Sequence, residues 1–172
     1  MLVYHGSYLP VEHPQIIVSN RTLDFGRGFY MGTNPDQAKS LVANDADPFF
    51  YQIKIRMQKF SPDKVLELED MEWAYFVLYN RGRLNSIKGT QFYNHIVHIA
   101  DDKDIIVGPI ADDAMNEAMK LFIKGRITDK AFLESIRAID YGVQYVCKTE
   151  YACNQLEKKS ESELYGKELS DA

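Results

Sequence analysis

The feature that most restricts the fold of this chain is the proline-containing segment after its first apolar run. Leu2–Tyr4 predicts a buried strand ending at His5–Ser7, and Pro10 and Pro14 then indicate a loop. A doubly wound parallel sheet needs a glycine-rich turn that leads from the first strand directly into a helix. This sequence lacks that turn, and its later elements show no regular βαβ rhythm. We therefore predict an α+β fold with two small mixed β-sheets flanked by helices.

Periodicity and capping residues predict the other elements of a single domain over residues 1–158, followed by a charged tail over residues 159–172. Further strands or short extended pieces are predicted at Ile16–Val18, Phe29–Met31, Phe49–Ile55, Val65–Leu68, Asp104–Val107 and Val143–Cys147. Helices are predicted from Pro35 to about Ala43, Met71 to about Asn80, Asp112 to Ile123, Thr128 to Ala138, and Thr149 to about Lys158. Asn34, Asp70, Thr128 and Thr149 are the expected caps, and Phe92–His98 fits more than one element type.

Composition limits the class of protein and of partner. The 172 residues carry a net charge of −5, which removes the global electrostatic signature of a nucleic-acid binder but leaves a local basic groove open. Cys147 and Cys153 match no zinc spacing, and we expect both to be free thiols. The sequence contains no apolar run of the ~20 residues needed to span a bilayer, and we expect no signal peptide. We predict a cytoplasmic protein without a membrane partner.

Two segments carry residues suited to ligand binding. In Tyr4–Ser7 a histidine ends a strand, and the following glycine lets the backbone approach a ligand closely. Asp24–Thr33 contains three glycines and ends on aromatic residues, without the complete pattern of a phosphate-binding loop. Taken separately, the first segment is better explained as a hydrogen-bonded histidine at a turn. The second is explained equally well as a tight glycine turn.

Taken together, the two segments resemble the nicotinamide-binding core of the ADP-ribosyltransferase superfamily. The resemblance is to its histidine–tyrosine–glutamate branch, which includes diphtheria toxin and the poly(ADP-ribose) polymerases. There a strand ends in His-Gly, and Phe-Gly-Lys-Gly-Ile-Tyr-Phe later precedes a helix; here Tyr4–Ser7, Phe25–Met31 and a helix from Pro35 occur in that order. The chain is more similar still to an uncharacterised bacterial family assigned to that superfamily. That likeness reaches about Leu156 through Trp73–Val77, Asn80–Arg81, Gly108–Asp113, Gln144 and Thr149–Glu150.

The resemblance implies an ADP-ribosyltransferase-like pair of split sheets, with NAD as co-substrate and no metal. It implies that His5 bonds the adenosine-side ribose, that the Gly6 backbone holds the nicotinamide carboxamide, and that Tyr30 stacks on the nicotinamide ring. The remaining expected NAD contacts are Ser7, Gly26, Gly28, Phe29 and Thr33. Where family members often place a second stacking tyrosine in the helix after the loop, this chain has Ala38, Ser40 and Leu41.

The third catalytic position of the branch, a glutamate at the start of a late strand, corresponds to Gln144. Breaking the nicotinamide glycosidic bond develops an oxocarbenium-like cation, which a glutamate stabilises by its charge. Glutamine supplies a hydrogen bond but neither charge nor base. We expect His5, Tyr30 and Gln144 to converge on one cavity from the same face of the sheet, with Gln144 on a wet wall. The alternatives are that Gln144 is an ordinary polar strand residue and that Glu150 is the catalytic carboxylate.

The resemblance implies an NAD-dependent mono-ADP-ribosyltransferase, toxin-like or regulatory, with an acceptor that is a protein, a nucleic acid or a small molecule. An NAD glycohydrolase is a close variant in which water is the acceptor. The alternative is a catalytically weak or inactive module that binds NAD, ADP-ribose or a protein. His5 and Tyr30 favour the enzyme, and Gln144 favours the module. The toxin-like character of the family also implies a small antitoxin or partner protein.

Two weaker candidates complete the sequence-based predictions. Arg81 is a candidate for an NAD phosphate, against the default of a charge at a helix C-terminus. His95 and His98 lie three residues apart without further ligands at metal spacing, and we predict no metal site.

Overall fold

The computed structural model describes residues 1–16, 23–44, 48–111, 113–137 and 141–163 of the chain. Within these ranges the chain forms seven strands and six α-helices, joined in places by 3-10 turns. The strands are β1 (Leu2–Ser7), β2 (Phe29–Gly32), β3 (Phe49–Ile55), β4 (Val65–Glu67), β5 (Ile105–Pro109), β6 (Val143–Cys147) and β7 (Leu156–Glu163). The helices are α1 (Pro35–Ser40), α2 (Asp70–Asn80), α3 (Gln91–His98), α4 (Asp113–Ile123), α5 (Asp129–Arg137) and α6 (Glu150–Cys153).

All seven strands belong to one mixed sheet, in the order β4-β5-β6-β2-β1-β3-β7. The pair β4–β5 is parallel, and every other neighbouring pair is antiparallel. The α+β class is therefore confirmed, whereas the prediction of two small separate sheets is wrong. The physical reason is a narrow junction: β1 pairs with β2 at Tyr4 opposite Gly32, and this contact joins the two halves of the sheet.

Strand alternation divides the hydrophobic core between the two faces of the sheet. One face packs against α2 to α5 through a cluster that includes Phe25, Leu68, Trp73, Val77, Ile96, Ile106, Met119, Phe132 and Val146. The opposite face packs against α6 and the 3-10 segment Met57–Lys59 through Val3, Phe29, Met31, Tyr51, Ile53, Ile55, Ile105, Cys147 and Ala152. Helix α1 covers the rest of the first face, where Ala38 and Val42 contact Phe50.

The end of the domain differs from the prediction. Thr149 caps α6 as expected, since its side chain accepts a hydrogen bond from the Ala152 N–H, but the helix ends at Cys153 and does not reach Lys158. Residues Leu156–Glu163 form β7, which pairs with the whole of β3. Residues 159–163 are therefore part of the sheet, because the backbone of β3 offers them a full row of hydrogen-bonding partners.

The structure assigns one segment that the sequence left open and corrects two local predictions. Phe92–His98 is helical within α3, where the Thr90 side chain caps the Tyr93 N–H. Strand β5 continues through Pro109, opposite Val143, although Gly108-Pro109 is a typical strand-ending pair. Asp70 does not cap α2 from outside: it is the first helical residue, at a φ of 49°.

Some predicted features fall on residues that the structure does not describe. Ile17 and Val18 of a predicted extended piece, the expected helix start at Asp112, and the helix end at Ala138 lie outside the described residues. Among the residues that are described, no helix is long and apolar enough to cross a bilayer.

Candidate functional site

The sheet opens between β1 and β2 immediately after the pair that joins them, Tyr4 with Gly32. Met1 and Ile55 exchange backbone hydrogen bonds in both directions, at 3.0 and 2.9 Å. Such doubly bonded pairs alternate along an antiparallel ladder, so odd-numbered residues of β1 direct their N–H and C=O groups to β3. Gly6 therefore directs its own groups towards β2. The pair of Gly6 with Tyr30 that would continue the β1–β2 ladder is not formed, and the Gly6 amide faces the gap.

A cavity of about 160 Å³, here called the sheet-gap cavity, lies at this opening between β1, β2, β6 and α1. The three predicted catalytic residues, His5, Tyr30 and Gln144, all line it, although they are distant in sequence. The other lining residues are Tyr4, Gly6, Met31, Gly32, Gln37, Ala38, Leu41 and Ile110. The fold thus brings the predicted triad to one place.

The three side chains nevertheless do not share one face of the sheet. Gly32 pairs with Gln144 and Tyr30 with Val146, and paired residues of antiparallel strands lie on the same face. Tyr30 and Gln144 therefore share a face. His5 pairs with Tyr51 and belongs to the opposite face. The expectation of a common face is wrong for His5, which borders the cavity from the other side of the gap.

The Tyr30 hydroxyl is fully used within the protein. It donates to the Gly26 carbonyl at 2.6 Å and accepts from the Phe25 N–H at 3.0 Å. Burial raises the pKa of Tyr30, and the nearby Asp24 carboxylate acts in the same direction, so the phenol stays protonated. Because the hydroxyl is anchored in this loop, Tyr30 offers the cavity a fixed aromatic wall.

The His5 ring lies where the β1–β2 ladder would have continued. Its Nδ1 is 2.7 Å from the Tyr30 carbonyl oxygen, which can only accept, so Nδ1 carries the proton. Burial lowers the pKa of His5, although this hydrogen bond opposes the shift. The ring is therefore neutral near pH 7, and its Nε2 keeps a lone pair for a ligand hydroxyl. The ring centroid lies 4.5 Å from that of Phe29.

Gln144 reaches the cavity from β6 with its amide already oriented. Its Nε2 donates to the Pro109 carbonyl at 2.9 Å, and the residue is only 7% exposed. The expectation of a wet cleft wall is therefore wrong for Gln144. With the amide nitrogen held by Pro109, the carbonyl oxygen Oε1 is the atom of Gln144 left to accept from a ligand.

Helix α1 forms the apolar wall of the cavity. Asn34 caps it as predicted, accepting from the Asp36 and Gln37 N–H groups. Ala38 and Leu41 line the cavity, whereas Ser40 does not. Five lining residues were not among the predicted site residues: Tyr4, Met31, Gly32, Gln37 and Ile110. One sequence signal could have indicated Gln37: it lies four residues before Leu41, and residues at this spacing share one face of a helix.

Gly26 and Gly28 of the loop before β2 allow close packing and do not form the wall of the sheet-gap cavity. A methyl group on Gly26, at a φ of 70°, would lie 2.8 Å from Asn80 Oδ1, and one on Gly28 would lie 2.4 Å from a Val146 methyl carbon. Neither glycine lines the sheet-gap cavity, nor does Thr33, whose hydroxyl accepts from the Val143 N–H at 3.0 Å. Ser7 and Phe29 border a second cavity, of about 450 Å³, with Tyr8–His13 and Gln15.

The weaker candidates lie away from the sheet-gap cavity. Arg81 pairs with Asp24 at 2.6 Å and bonds Asn116, so its guanidinium ties the loop before β2 to α2 and α4. Glu150 borders a different cavity with His13 and Cys153. Within the described part of the chain, no group of three or more metal-ligating side chains forms.

The arrangement combines complementary polar groups with a flat apolar surface. The Gly6 N–H is a donor, its C=O is an acceptor, and the Tyr30 ring lies beside them. His5 Nε2 and Gln144 Oε1 add two acceptors. The described lining carries no charged side chain, because His5 is neutral and Gln37 and Gln144 are amides. Such a site fits a small planar ligand with a neutral group that both donates and accepts.

Comparisons with known proteins bear on the family and not on the activity. No curated protein and no solved structure matches the chain. The resemblance to ADP-ribosyltransferases therefore stays a prediction. A family match does cover residues 1–158, more than nine-tenths of the chain. The chain belongs to the family described as "Protein of unknown function (DUF3990)".

Proposed function

We propose that the chain is an NAD-dependent mono-ADP-ribosyltransferase whose sheet-gap cavity binds the nicotinamide ring. The observation that carries the proposal is the unpaired edge of β1 beside an aromatic wall: the Gly6 amide faces the gap where Tyr30 should have paired with it. A primary carboxamide has an N–H donor and a C=O acceptor side by side. It complements the Gly6 C=O and N–H as a neighbouring strand would.

The size of the cavity supports a ring more than a whole dinucleotide. Its volume of about 160 Å³ is below the ~300–1,000 Å³ of sites that enclose drug-sized ligands. The nicotinamide end would occupy it, and the rest of NAD would leave through the mouth, where Leu41 is 69% exposed. His5 Nε2 and Gln144 Oε1 then remain as acceptors for ribose hydroxyl groups.

The proposed reaction breaks the bond between the nicotinamide nitrogen and the ribose carbon. The bonding pair leaves with nicotinamide, a nucleophilic acceptor forms the new bond to that carbon, and the acceptor's proton is released to solvent. Gln144 orients a ribose hydroxyl through a neutral hydrogen bond. Because the described lining has no carboxylate, the developing cation is stabilised by dipoles alone. We therefore propose single transfers and not chain extension.

A second candidate is a binding module without turnover, and a specific contact favours it. The Gln144 amide is held by Pro109 in a buried position, so the site presents a neutral acceptor where charge stabilisation would be most useful. Such a site retains a nicotinamide or ADP-ribose ligand but cleaves it slowly or not at all.

Calorimetric titration with three planar ligands tests the binding step. We expect nicotinamide and benzamide to bind, since both carry a carboxamide. Nicotinic acid should bind at least about tenfold more weakly, since its carboxylate would face the Gly6 carbonyl without a donor. Failure of both amides to bind, or equal binding of nicotinic acid, would overturn the proposed site.

Release of radiolabelled nicotinamide from NAD then separates the two candidates. Release above that of a cavity-filled variant, Gly32→Ala, supports the enzyme, and attachment of labelled ADP-ribose to a lysate component supports transfer over hydrolysis. Nicotinamide binding without release supports the module.

A further inference from the structure

Lys148 is a half-buried cation outside the sheet-gap cavity. It comes directly after β6, and its backbone N–H donates to the Asp104 carbonyl at 2.8 Å. Its ammonium donates to the Phe25 carbonyl at 2.6 Å and to the Arg27 carbonyl at 2.5 Å. No carboxylate pairs with it among the described residues. Two backbone oxygens of one short loop therefore satisfy a charge that is costly to bury.

The same short loop anchors the aromatic wall of the cavity. The Tyr30 hydroxyl bonds the Phe25 N–H and the Gly26 carbonyl. Lys148 and Tyr30 therefore bond consecutive peptide groups in alternation. Tyr30 bonds the peptides before Phe25 and after Gly26, and Lys148 bonds those after Phe25 and after Arg27. The loop backbone connects the two side chains.

The side chain of this lysine runs beside the glycines of the loop. A methyl group on Gly26 would lie 3.6 Å from Lys148 Nζ, and one on Gly28 would lie 3.6 Å from Lys148 Cδ. The loop therefore lies directly over the lysine side chain. The Phe-Gly-Arg-Gly segment covers Lys148, and four consecutive peptide groups of the loop bond either its ammonium or the Tyr30 hydroxyl.

We propose that Lys148 is a positioning residue for Tyr30: by holding the Phe25 and Arg27 carbonyls, it sets the loop that fixes the Tyr30 ring against the sheet-gap cavity. The inference rests on the proposed function for its effect on ligands, since it assigns Lys148 a share in the affinity for a planar carboxamide. It does not make Lys148 a catalytic residue, because the ammonium does not line the cavity.

The charge on Lys148 gives this role a pH signature. Burial lowers the pKa of Lys148 to about 8, and the Arg27 guanidinium acts in the same direction. Two acids of adjoining segments have other partners: Asp24, next to Phe25, pairs with Arg81, and Asp104, whose carbonyl accepts from the Lys148 N–H, accepts from Thr149 through its carboxylate. Charge-assisted hydrogen bonds are roughly twice as strong as neutral ones, so loss of the proton weakens the hold on the loop. Ligand affinity should fall as pH rises from 7 to 9.

The other ionisable groups of the site do not produce that signature. The pKa of His5 is lowered by burial, so His5 is neutral across this range. The pKa of Tyr30 is raised, so its phenol stays protonated. A decline in affinity between pH 7 and 9 therefore reports on Lys148.

The test compares Lys148→Met, which keeps the aliphatic stem, with Thr149→Ala, which removes the neighbouring α6 cap without touching the loop. Nicotinamide titrations at pH 7 should show about tenfold weaker binding for Lys148→Met and less than a twofold change for Thr149→Ala. The wild-type affinity should fall between pH 7 and 9, and the Lys148→Met affinity should stay level. Tyr30→Phe should add little to Lys148→Met, because both variants free the same loop.

A ligand-free measurement separates this inference from the proposed function. Protein labelled with fluorotyrosine gives a ¹⁹F signal for Tyr30, assigned by its loss in Tyr30→Phe. That signal should shift or broaden in Lys148→Met but not in Thr149→Ala, and in wild type as pH rises from 7 to 9. If nicotinamide does not bind, the proposed function fails while these spectra still decide the link from Lys148 to Tyr30. A Tyr30 signal unchanged in Lys148→Met and across the pH series would overturn the inference.

Discussion

The side-chain amide of Gln144 donates a hydrogen bond of 2.9 Å to the carbonyl oxygen of Pro109. The Trp73 indole N–H donates to the same oxygen, also at 2.9 Å. That carbonyl can only accept, so the side chain at position 144 can bond it only as a donor. The contact distinguishes an amide from a carboxylate at this position. An amide donates to Pro109 and leaves an acceptor for the cavity, whereas an ionised carboxylate only accepts and is repelled by the Pro109 carbonyl oxygen.

We expect Gln144→Glu to destabilise the protein, although the two side chains are nearly the same shape. The variant loses the bond to Pro109 and places a buried carboxylate against a carbonyl dipole, at a cost of about 1–3 kcal/mol. Such a site raises the folded-state pKa of the new carboxyl above the unfolded value of about 4.3. The loss of stability should therefore grow as pH rises above that value. Urea unfolding at pH 4 and pH 8 measures it.

Gln144→Met is the matched control for this experiment. It fills a similar volume without a charge, and the Pro109 carbonyl keeps the hydrogen bond from Trp73. We expect it to cost less than the glutamate variant at pH 8 and to show little additional dependence on pH. Equal stabilities for wild type and Gln144→Glu at pH 8 would contradict the importance of the Pro109 contact.

Gly32→Ala should close the sheet-gap cavity with little harm to the fold. A methyl group there would lie 3.4 Å from Gln37 Oε1 and 3.6 Å from a carbon of Ile110, both tolerable contacts with cavity-lining residues. Alanine in a strand is also favoured over glycine by about 0.5–1 kcal/mol. We expect unfolding stability within about 1 kcal/mol of wild type and at least tenfold weaker nicotinamide binding, measured by urea unfolding and calorimetry.

Gly6→Ala provides the contrast to that variant. A methyl group on Gly6 would lie 2.2 Å from the Ala38 carbonyl oxygen, so α1 would have to move. We expect a loss of about 1–3 kcal/mol or more in stability, as for other overpacked sites. If Gly6→Ala were as stable as Gly32→Ala, α1 would be free to shift, and the cavity wall would then be poorly defined.

The meeting of the three predicted catalytic residues at the sheet-gap cavity was predictable from the order of their motifs along the chain. His5, Tyr30 and Gln144 each lie in a strand that the sequence identifies, and the resemblance supplied their grouping. The face of His5 was not predictable. It depends on the β1–β3 register and on the early end of the β1–β2 ladder, which are tertiary features that no local pattern encodes.

Other features of the molecule could not be predicted from the sequence, for different physical reasons. The sequence predicts Leu156–Lys158 as the end of a helix and the residues from Lys159 as a charged tail, but pairing with β3 overrides the weak strand propensity of Leu156–Glu163. The loop glycines resemble a ligand-binding loop, yet glycine is required there by the close approach of Asn80 and Val146, which are distant in sequence.

Truncation after Lys158 tests whether residues 159–163 belong to the folded domain. It removes the part of β7 that pairs with Phe49, Phe50, Tyr51 and Gln52 of β3. Each backbone hydrogen bond contributes about 0.5–1.5 kcal/mol, so we expect a loss of several kcal/mol and a lower urea midpoint. Truncation after Glu163 keeps every described residue of β7 and is the control. Equal midpoints for the two truncated proteins would show that these residues add nothing to the sheet.

Protonation of His5 should destabilise the folded protein as pH falls. Burial lowers the pKa of His5 in the folded state, so below an unfolded value of about 6.5 the unfolded chain binds more protons. The free energy of unfolding therefore falls as pH decreases from about 6.5, and it is fully retained above that value.

The variant His5→Asn tests this dependence. Its amide places a donor nitrogen near the position of Nδ1, able to bond the Tyr30 carbonyl, but it cannot titrate. Urea unfolding at pH 5, 6 and 7 should show a smaller loss of stability towards pH 5 in His5→Asn than in wild type. Parallel pH profiles for the two proteins would mean that His5 accepts its proton without cost and is not confined as a neutral ring between β1 and β2.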